Sequence, residues 1–262
     1  MALKKYSAFY YGHTITKSNR YLNFGEAYLD PVQRVGLIDI GASTLTKFGD
    51  LIAKAMNSAG SQEYTVTLDR ATRKFTISAA NNFELLLDTG SNKTTSVFSL
   101  LGFTGNVDLT GSNTYEADSP SGEAYITQTP LANFSDFKFN KEKSEAVVKT
   151  TPAGITEVIS YSTLERMKCD LPAVTNYTPQ RFIRESATGI EEAEAFMDYC
   201  ITKAPLEFVE DYELPNDFTP CILDRTSKNS KGVGYDIKER VRDSLPGYYE
   251  IKGLTFLKIE VR

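Results

Sequence analysis

Two stretches of the chain carry apolar residues at helical spacing, while most of the remainder alternates apolar with polar positions or breaks at Gly, Asn, Ser and Thr. In the first stretch Leu45, Phe48, Ile52 and Ala55/Met56 fall on one side of a helix. The hydroxyl of Ser43 or Thr44 can accept from the free N–H groups of its first turn, and Gly60 stops it. In the second stretch Ile190, Ala193, Phe196/Met197 and Cys200/Ile201 give the apolar face of a helix over about Gly189 to Ile201. Glu191, Glu192 and Glu194 lie near its start, where the helix dipole favours negative charge, and Pro205 ends it.

Between these helices the pattern changes to period two. Tyr64, Val66 and Leu68 alternate with Thr65 and Thr67, and Phe75 and Ile77 alternate with Thr76 and Ser78, which predicts a β-hairpin with one wet face across the polar segment Asp69 to Lys74. Phe83 to Leu87 predicts a third strand, and Val97 to Leu101 a short helical turn closed by Gly102. Thr110 to Gly122 is rich in Gly, Ser, Asn, Asp and Pro and marks a domain boundary. Beyond it Ala146 to Val148 and Ile155 to Tyr161 flank the turn Thr150 to Gly154 as a second hairpin, with Lys141 to Glu145 as its exposed arm. Strands follow at Leu206–Val209, Pro220–Leu223 and Leu254–Val261, and Tyr235 to Leu245 fits a strand running into a short helix. The expected fold class is α+β and mostly β: a small α+β domain over residues 1–118, then a β-sandwich-like domain over residues 119–262 with one main helix.

Composition narrows the chemistry. With 262 residues the chain can bury a real core, and its net charge is −5 with Lys and Arg scattered, so no basic track exists to neutralise a row of phosphates. Specific nucleic-acid binding is not expected. Met1 to Tyr11 lacks a signal-peptide core, and no stretch approaches the roughly 20 apolar residues of a membrane span. The expectation is a soluble protein that remains in the cytoplasm where it is made. Cys169, Cys200 and Cys221 are too few and too far apart for a disulfide framework or a metal clamp and read as buried small apolar residues. His13 is the single histidine, which removes nearly all catalysis built on imidazole and leaves carboxylate chemistry as the surviving enzyme class.

One segment offers that chemistry. Leu85-Leu86-Leu87-Asp88-Thr89-Gly90-Ser91-Asn92 resembles the active-site loop of an aspartic protease, in which two aspartates share a proton and activate water between them. The chain holds no second Asp-Thr/Ser-Gly, and Leu100-Leu101-Gly102 stands too close to Asp88 to thread behind it as a retroviral-type protease requires. Asp-Thr-Gly-Ser after a strand is also ordinary turn chemistry, and that is the preferred reading. Gly232-Val233-Gly234 opens no helix and lacks the third glycine of a dinucleotide fingerprint. Glu191, Glu192 and Glu194, and Glu207, Glu210, Asp211 and Glu213, lack the spacing of a calcium loop and read as solvated faces. Asn92-Lys93-Thr94, Asn133-Phe134-Ser135 and Asn176-Tyr177-Thr178 match a glycosylation acceptor that needs a secretory route. No catalytic, cofactor-binding or metal-ligating residue and no cofactor is therefore assigned, and the chain is expected not to be an enzyme. Tyr6, Tyr10, Tyr11, Tyr21, Tyr248 and Tyr249 sit in polar company and suit either interfaces or the wet faces of sheets. Binding of host-surface carbohydrate is a further reading, weakened by the absence of Trp.

Ser43 to Phe48, Tyr64 to Ser78, Phe83 to Leu86 and Ser99 to Phe103 together resemble a module of virion structural proteins of tailed bacteriophages, covering about residues 40–118. The second half is similar, more loosely, to the distal-tail, tail-tube and baseplate-hub group. That similarity rests on the hairpin around Pro152-Ala153-Gly154, the helix to Ile201 followed by Leu206-Glu207-Phe208, and the closing Leu245 to Glu250 with Leu254 to Phe256. The resemblance implies a tail component of the virion that closes into a ring of six copies. Its implied partners are copies of itself and neighbouring tube, hub, sheath or fibre proteins, with DNA passing through the channel. A collar, head-to-tail connector or fibre-attachment protein is the alternative it leaves open.

Overall fold

The structure, a computed structural model, describes residues 6–26, 30–128, 140–142, 147–150, 156–159, 164–175, 190–202, 205–224, 236–239 and 248–259. In chain order the elements are β1 (Tyr6–Tyr11), β2 (His13–Ile15), β3 (Tyr21–Glu26), β4 (Asp30–Leu37), β5 (Gly41–Ser43), α1 (Leu45–Ala59), β6 (Tyr64–Asp69), β7 (Lys74–Leu85), α2 (Phe98–Leu101), β8 (Leu109–Glu116) and β9 (Ala124–Gln128). They continue as β10 (Asn140–Glu142), β11 (Val147–Thr150), β12 (Thr156–Ile159), β13 (Leu164–Thr175), α3 (Ile190–Thr202), β14 (Leu206–Val209), β15 (Phe218–Leu223), β16 (Asp236–Glu239) and β17 (Tyr248–Lys258). The chain is mostly β, with antiparallel sheets. It divides into two units, one of Met1–Ile126 with Thr202–Pro220 and Val261, the other of Thr127–Ile201 with Cys221–Glu260 and Arg262. Thus the chain leaves the first unit eight residues later than the sequence boundary at 118, and returns to it for Thr202–Pro220.

In the first unit a five-stranded sheet runs β4-β3-β7-β6, with β8 also on β7, and α1 packs against β4 and β6. The Thr44 hydroxyl accepts from the Lys47 N–H at 3.2 Å to cap α1, and Gly60 follows its end. Leu45, Phe48, Ile52, Ala55 and Met56 are buried on the helix face that the apolar spacing predicts. Gly49 lets the helix approach closely, because a Cβ there would stand 3.0 Å from the Phe75 ring. Under the helix, aromatic rings meet edge to face: Phe24 with Tyr64, Tyr64 with Phe83, and Phe83 with Tyr115, at centroid distances of 5.3, 5.2 and 4.9 Å. Glu26, 1 % exposed, is anchored beside them by donors from the Ser61 N–H at 2.7 Å and the Tyr64 hydroxyl at 2.9 Å. Burial alone raises its pKa, but those hydrogen bonds outweigh it and hold the carboxyl below the ordinary range.

Two details depart from the sequence expectation. Phe83 to Leu87 does not begin a separate strand, since β7 is continuous from Lys74 to Leu85. Ala79 to Asn82 form an irregularity within it, where the register against β8 shifts between Ser78 and Phe83. The polar stretch from Thr110 is likewise not all linker: Leu109–Glu116 is β8, an edge strand whose exposed residues explain a polar composition without alternation. In the same unit β1 lies between β14 and β9, with Ala8 opposite Val209 and Tyr11 opposite Leu206.

The returning segment delivers a charge to the interior. Glu207, assigned from sequence to a solvated face, and Arg70, in the polar segment of the predicted hairpin, are 0 % and 5 % exposed and form an ion pair at 2.7 Å. The first carboxylate oxygen of Glu207 also accepts from the Thr46 N–H at 2.8 Å, in the first turn of α1, where the free N–H groups and the dipole favour an anion. The same Arg70 nitrogen that meets Glu207, Nη2, donates to the Thr46 hydroxyl, and the guanidinium lies 3.7 Å over the Phe218 ring. The acidic cluster was therefore misread at Glu207, because β14 is buried along its whole length, whereas Glu210 and Glu213 lie beyond its end and stay exposed.

In the second unit β13 pairs with β10 and β17, and β17 also pairs with β16 and, through Cys221–Leu223, with β15. β11 and β12 form the hairpin expected around Pro152, whose turn lies outside the described residues. Helix α3 buries Ala193, Phe196, Met197 and Cys200, the face its sequence spacing predicts. Arg166 reaches the buried Asp224 at 3.3 Å. Of the segment expected to run from strand to helix, Asp236–Glu239 is strand and the part after Glu239 lies outside the described residues.

Removing one partner of the Arg70–Glu207 pair leaves a buried charge without its counter-ion. Glu207→Gln is expected to lower the stability of the full chain by about 3–5 kcal/mol in urea unfolding, whereas the joint replacement Arg70→Met with Glu207→Leu recovers most of that loss. Equal losses in the single and double variants would show that the pair is not the source.

Candidate functional site

The Asp-Thr-Gly loop is tied down as a turn. The Asp108 carboxylate accepts from the Asp88 N–H at 2.7 Å, the Thr89 N–H at 3.1 Å and the Thr89 hydroxyl. Burial raises the Asp108 pKa, but these donors and the Lys93 charge reverse the effect and keep it below the usual carboxylate range. The Asp88 carboxylate is half exposed and paired with the Lys93 ammonium. Asn23, its amide turned so that the oxygen faces the loop, accepts from the N–H groups of Ser91 and Asn92 at 2.8 Å each. The backbone N–H groups of Asp88, Thr89, Ser91 and Asn92 are thus engaged in shaping the connection to the turn Lys93–Thr95.

His13 lies in the interior, 9 % exposed, with its ring 4.6 Å from that of Phe48. Its Nε2 is 2.8 Å from the Ser121 hydroxyl, which donates to the Leu100 carbonyl. A hydroxyl has one proton to give, so Nε2 carries the hydrogen and donates to Ser121. Burial pushes the His13 pKa down to about 4.

Cys200 and Cys221 are buried, and the Cys169 side chain lies outside the described set. Among the described residues no group of three or more His, Cys, Asp or Glu is placed to hold a metal ion, and no helix is long and apolar enough to cross a membrane. Tyr10 is buried, 1 % exposed, and stacks on Tyr212, so it belongs to the interior; Tyr11 and Tyr21 are partly exposed. Burial pushes the Tyr10 hydroxyl up to about 12. Glu194 is exposed, and the side chains of Glu191, Glu192, Tyr6, Tyr248 and Tyr249 lie outside the described set, as do Gly232 to Gly234 and the acceptor triplets at Asn133 and Asn176.

What stands out instead is an edge that the sequence reading missed. Val32, Val35, Leu37 and Ile40 are 52, 39, 52 and 51 % exposed, and they fall on or just after β4, an outer strand of the five-stranded sheet. The Ile38 N–H donates to the Arg20 carbonyl at 3.0 Å, so the opposed residues Leu37 and Tyr21 form a wide pair with no mutual hydrogen bonds. Hydrogen-bonded pairs therefore fall at Gly36/Leu22 and Arg34/Phe24. It follows that the backbone groups of Gln33, Val35 and Leu37 point away from β3. Gly36 faces α1, where a Cβ would stand 3.3 Å from the Ala55 carbonyl oxygen, which fixes Val35 and Leu37 on the outer face. The available signal was the short apolar alternation after Pro31, in a segment whose exposure depends on tertiary packing.

With a folded pKa lowered to about 4, His13 stabilises the folded state fully above pH 6.5, and that contribution is lost as pH falls towards 4. Because His13 is the sole histidine, unfolding stability is expected to drop by about 2 kcal/mol between pH 7 and pH 5, and His13→Gln should flatten that slope. An identical slope in both proteins, measured by urea midpoint, would place its origin elsewhere.

No protein-family model matches the chain, and no curated protein matches it in sequence.

Proposed function

We propose that the chain is a non-catalytic structural protein of a tailed-bacteriophage tail, working by association with copies of itself and with neighbouring tube, hub, sheath or fibre proteins. The observation that carries this reading is the apolar edge of β4, where unpaired strand backbone and exposed Val and Leu side chains coincide. Exposed edges of this kind are satisfied by strands of another subunit. The resemblance of residues 40–118 to a virion module supplies the biological setting, and the looser resemblance of the second half supplies the ring. In this reading the ring closes with six copies at the tail tube or baseplate.

The engagement of Asp88 with Lys93, and of Asp108 with the loop backbone, supports a non-catalytic role for the Asp-Thr-Gly segment. Negative-stain imaging and light scattering of the purified full chain are expected to show a closed assembly, alone or on addition of a neighbouring tail protein. A monomer that never assembles and turns over a substrate overturns the proposal. The same preparation should leave an unstructured protein substrate intact at acid pH, and Asp88→Asn should change neither that result nor the unfolding midpoint beyond the ~1 kcal/mol typical of an exposed ion pair. Acid proteolysis abolished by Asp88→Asn would establish the protease instead.

A further inference from the structure

We infer that the β4 edge is the contact of a two-fold symmetric pair of chains, in which β4 of one copy runs antiparallel to β4 of another with Gly36 on the axis. The exposed apolar residues are arranged as a palindrome about that glycine: Val35 and Leu37 flank it on either side, and Val32 and Ile40 lie symmetrically further out. In an antiparallel two-fold pairing the positions of opposed residues have a constant sum, and the outward backbone groups of Gln33, Val35 and Leu37 restrict the choice to registers in which these residues oppose one another or their odd-numbered neighbours. Centring on Val35 sets Leu37 against Gln33, and centring on Leu37 sets Val35 against Asp39. Centring on Arg34 sets Leu37 against Pro31, which has no N–H to give. Centring on Gly36 sets Val35 of each copy against Leu37 of the other, as narrow pairs that exchange N–H···O bonds in both directions.

The same register is free of electrostatic conflict. Arg34 opposes Ile38 and Gln33 opposes Asp39, so no like charges meet across the seam. Val35 and Leu37 share the outer face, so both cross-strand pairs cover apolar surface that the isolated chain leaves in water. A head-to-tail contact with another edge of the same sheet lacks this match. β6 exposes Thr65, Thr67 and Asp69, and β8 exposes Thr110, Asn113, Thr114 and Glu116, so neither offers an apolar row to receive Val35 and Leu37. An isologous pair needs a self-complementary patch, and β4 is the described edge that has one. This inference shares the β4 edge with the proposed function but needs neither its virion setting nor its ring, which would then close through other surfaces.

Sedimentation of the full chain over a concentration series tests it. The expected species is a dimer, or an even-numbered assembly that Leu37→Lys splits into halves, with the variant raising the dissociation constant about tenfold or more. Leu37 is half exposed, so far-ultraviolet circular dichroism should show the variant folded as the parent. Register is read by oxidising a mixture of Val35→Cys and Leu37→Cys chains and identifying linked peptides by mass spectrometry. Predominant linkage between the two different variants supports the Gly36 axis, whereas linkage of either variant chiefly to itself overturns it. A chain that stays monomeric at every concentration, or an assembly whose mass Leu37→Lys does not alter, also overturns the pairing.

Discussion

The first unit depends on a charge brought from far along the chain. Glu207 enters on β14 and meets the Thr46 N–H at the start of α1 and the Arg70 guanidinium at the end of β6. Its carboxylate thus satisfies a free donor of the helix and neutralises a cation that would otherwise be buried alone. An ion pair at this depth adds little net stability against a well-packed apolar substitute, because both groups lose their hydration. Its contribution is to position: one carboxylate on β14 holds both Arg70 and the first turn of α1. The constraint explains how Thr202–Pro220 belongs to a unit whose other residues end at Ile126.

Local pattern revealed much of this unit because its central elements are amphipathic and sequential. Helix α1, with its Thr44 cap and Gly60 stop, and the β6–β7 hairpin were legible since each buries one face at the period of its own backbone. Gly102, with φ of +89°, likewise closes α2 where a left-handed residue is needed. Strands β1 to β5 were not legible. Phe9 and Tyr10 are consecutive and both buried, and Leu22, Asn23 and Phe24 are as well, so burial on both faces erases alternation. The interior role of Glu207 was hidden for a related reason. A carboxylate next to Glu210, Asp211 and Glu213 reads as surface until the partner 137 positions away is known to be a cation.

The candidate chemistry was legible as residue types and not as contacts. A lone histidine bounded the available mechanisms, and in the fold it serves packing and a donor bond to Ser121. Asp88 attracted attention through its neighbours Thr89 and Gly90, yet those are the residues that a tight connection between β7 and α2 uses. The hydroxyl of Thr89 and the backbone around it turn to Asp108, so the residues shared with a protease loop hold this connection in place. A motif of four residues could not distinguish these cases because the decisive partner, Asp108, is supplied by the approach to β8.

Strand edges that face solvent in this unit have two chemical characters. β8 and β6 blunt their exposure with Thr, Asn, Asp and Glu, residues whose hydration opposes pairing with another sheet. On β4 the outward backbone groups coincide with Val35 and Leu37, and only Pro31 near its start limits extension. If edge protection were general in this fold, the two would not differ. Nor does internal packing demand the apolar choice: the inner face of β4 is already served by Gly36 against α1, and Val35 and Leu37 contribute to neither that contact nor the aromatic row beneath the helix. Both stand outside the buried core of the first unit and leave 39 and 52 % of their surface in water, which is the physical reason for assigning that surface to a second molecule.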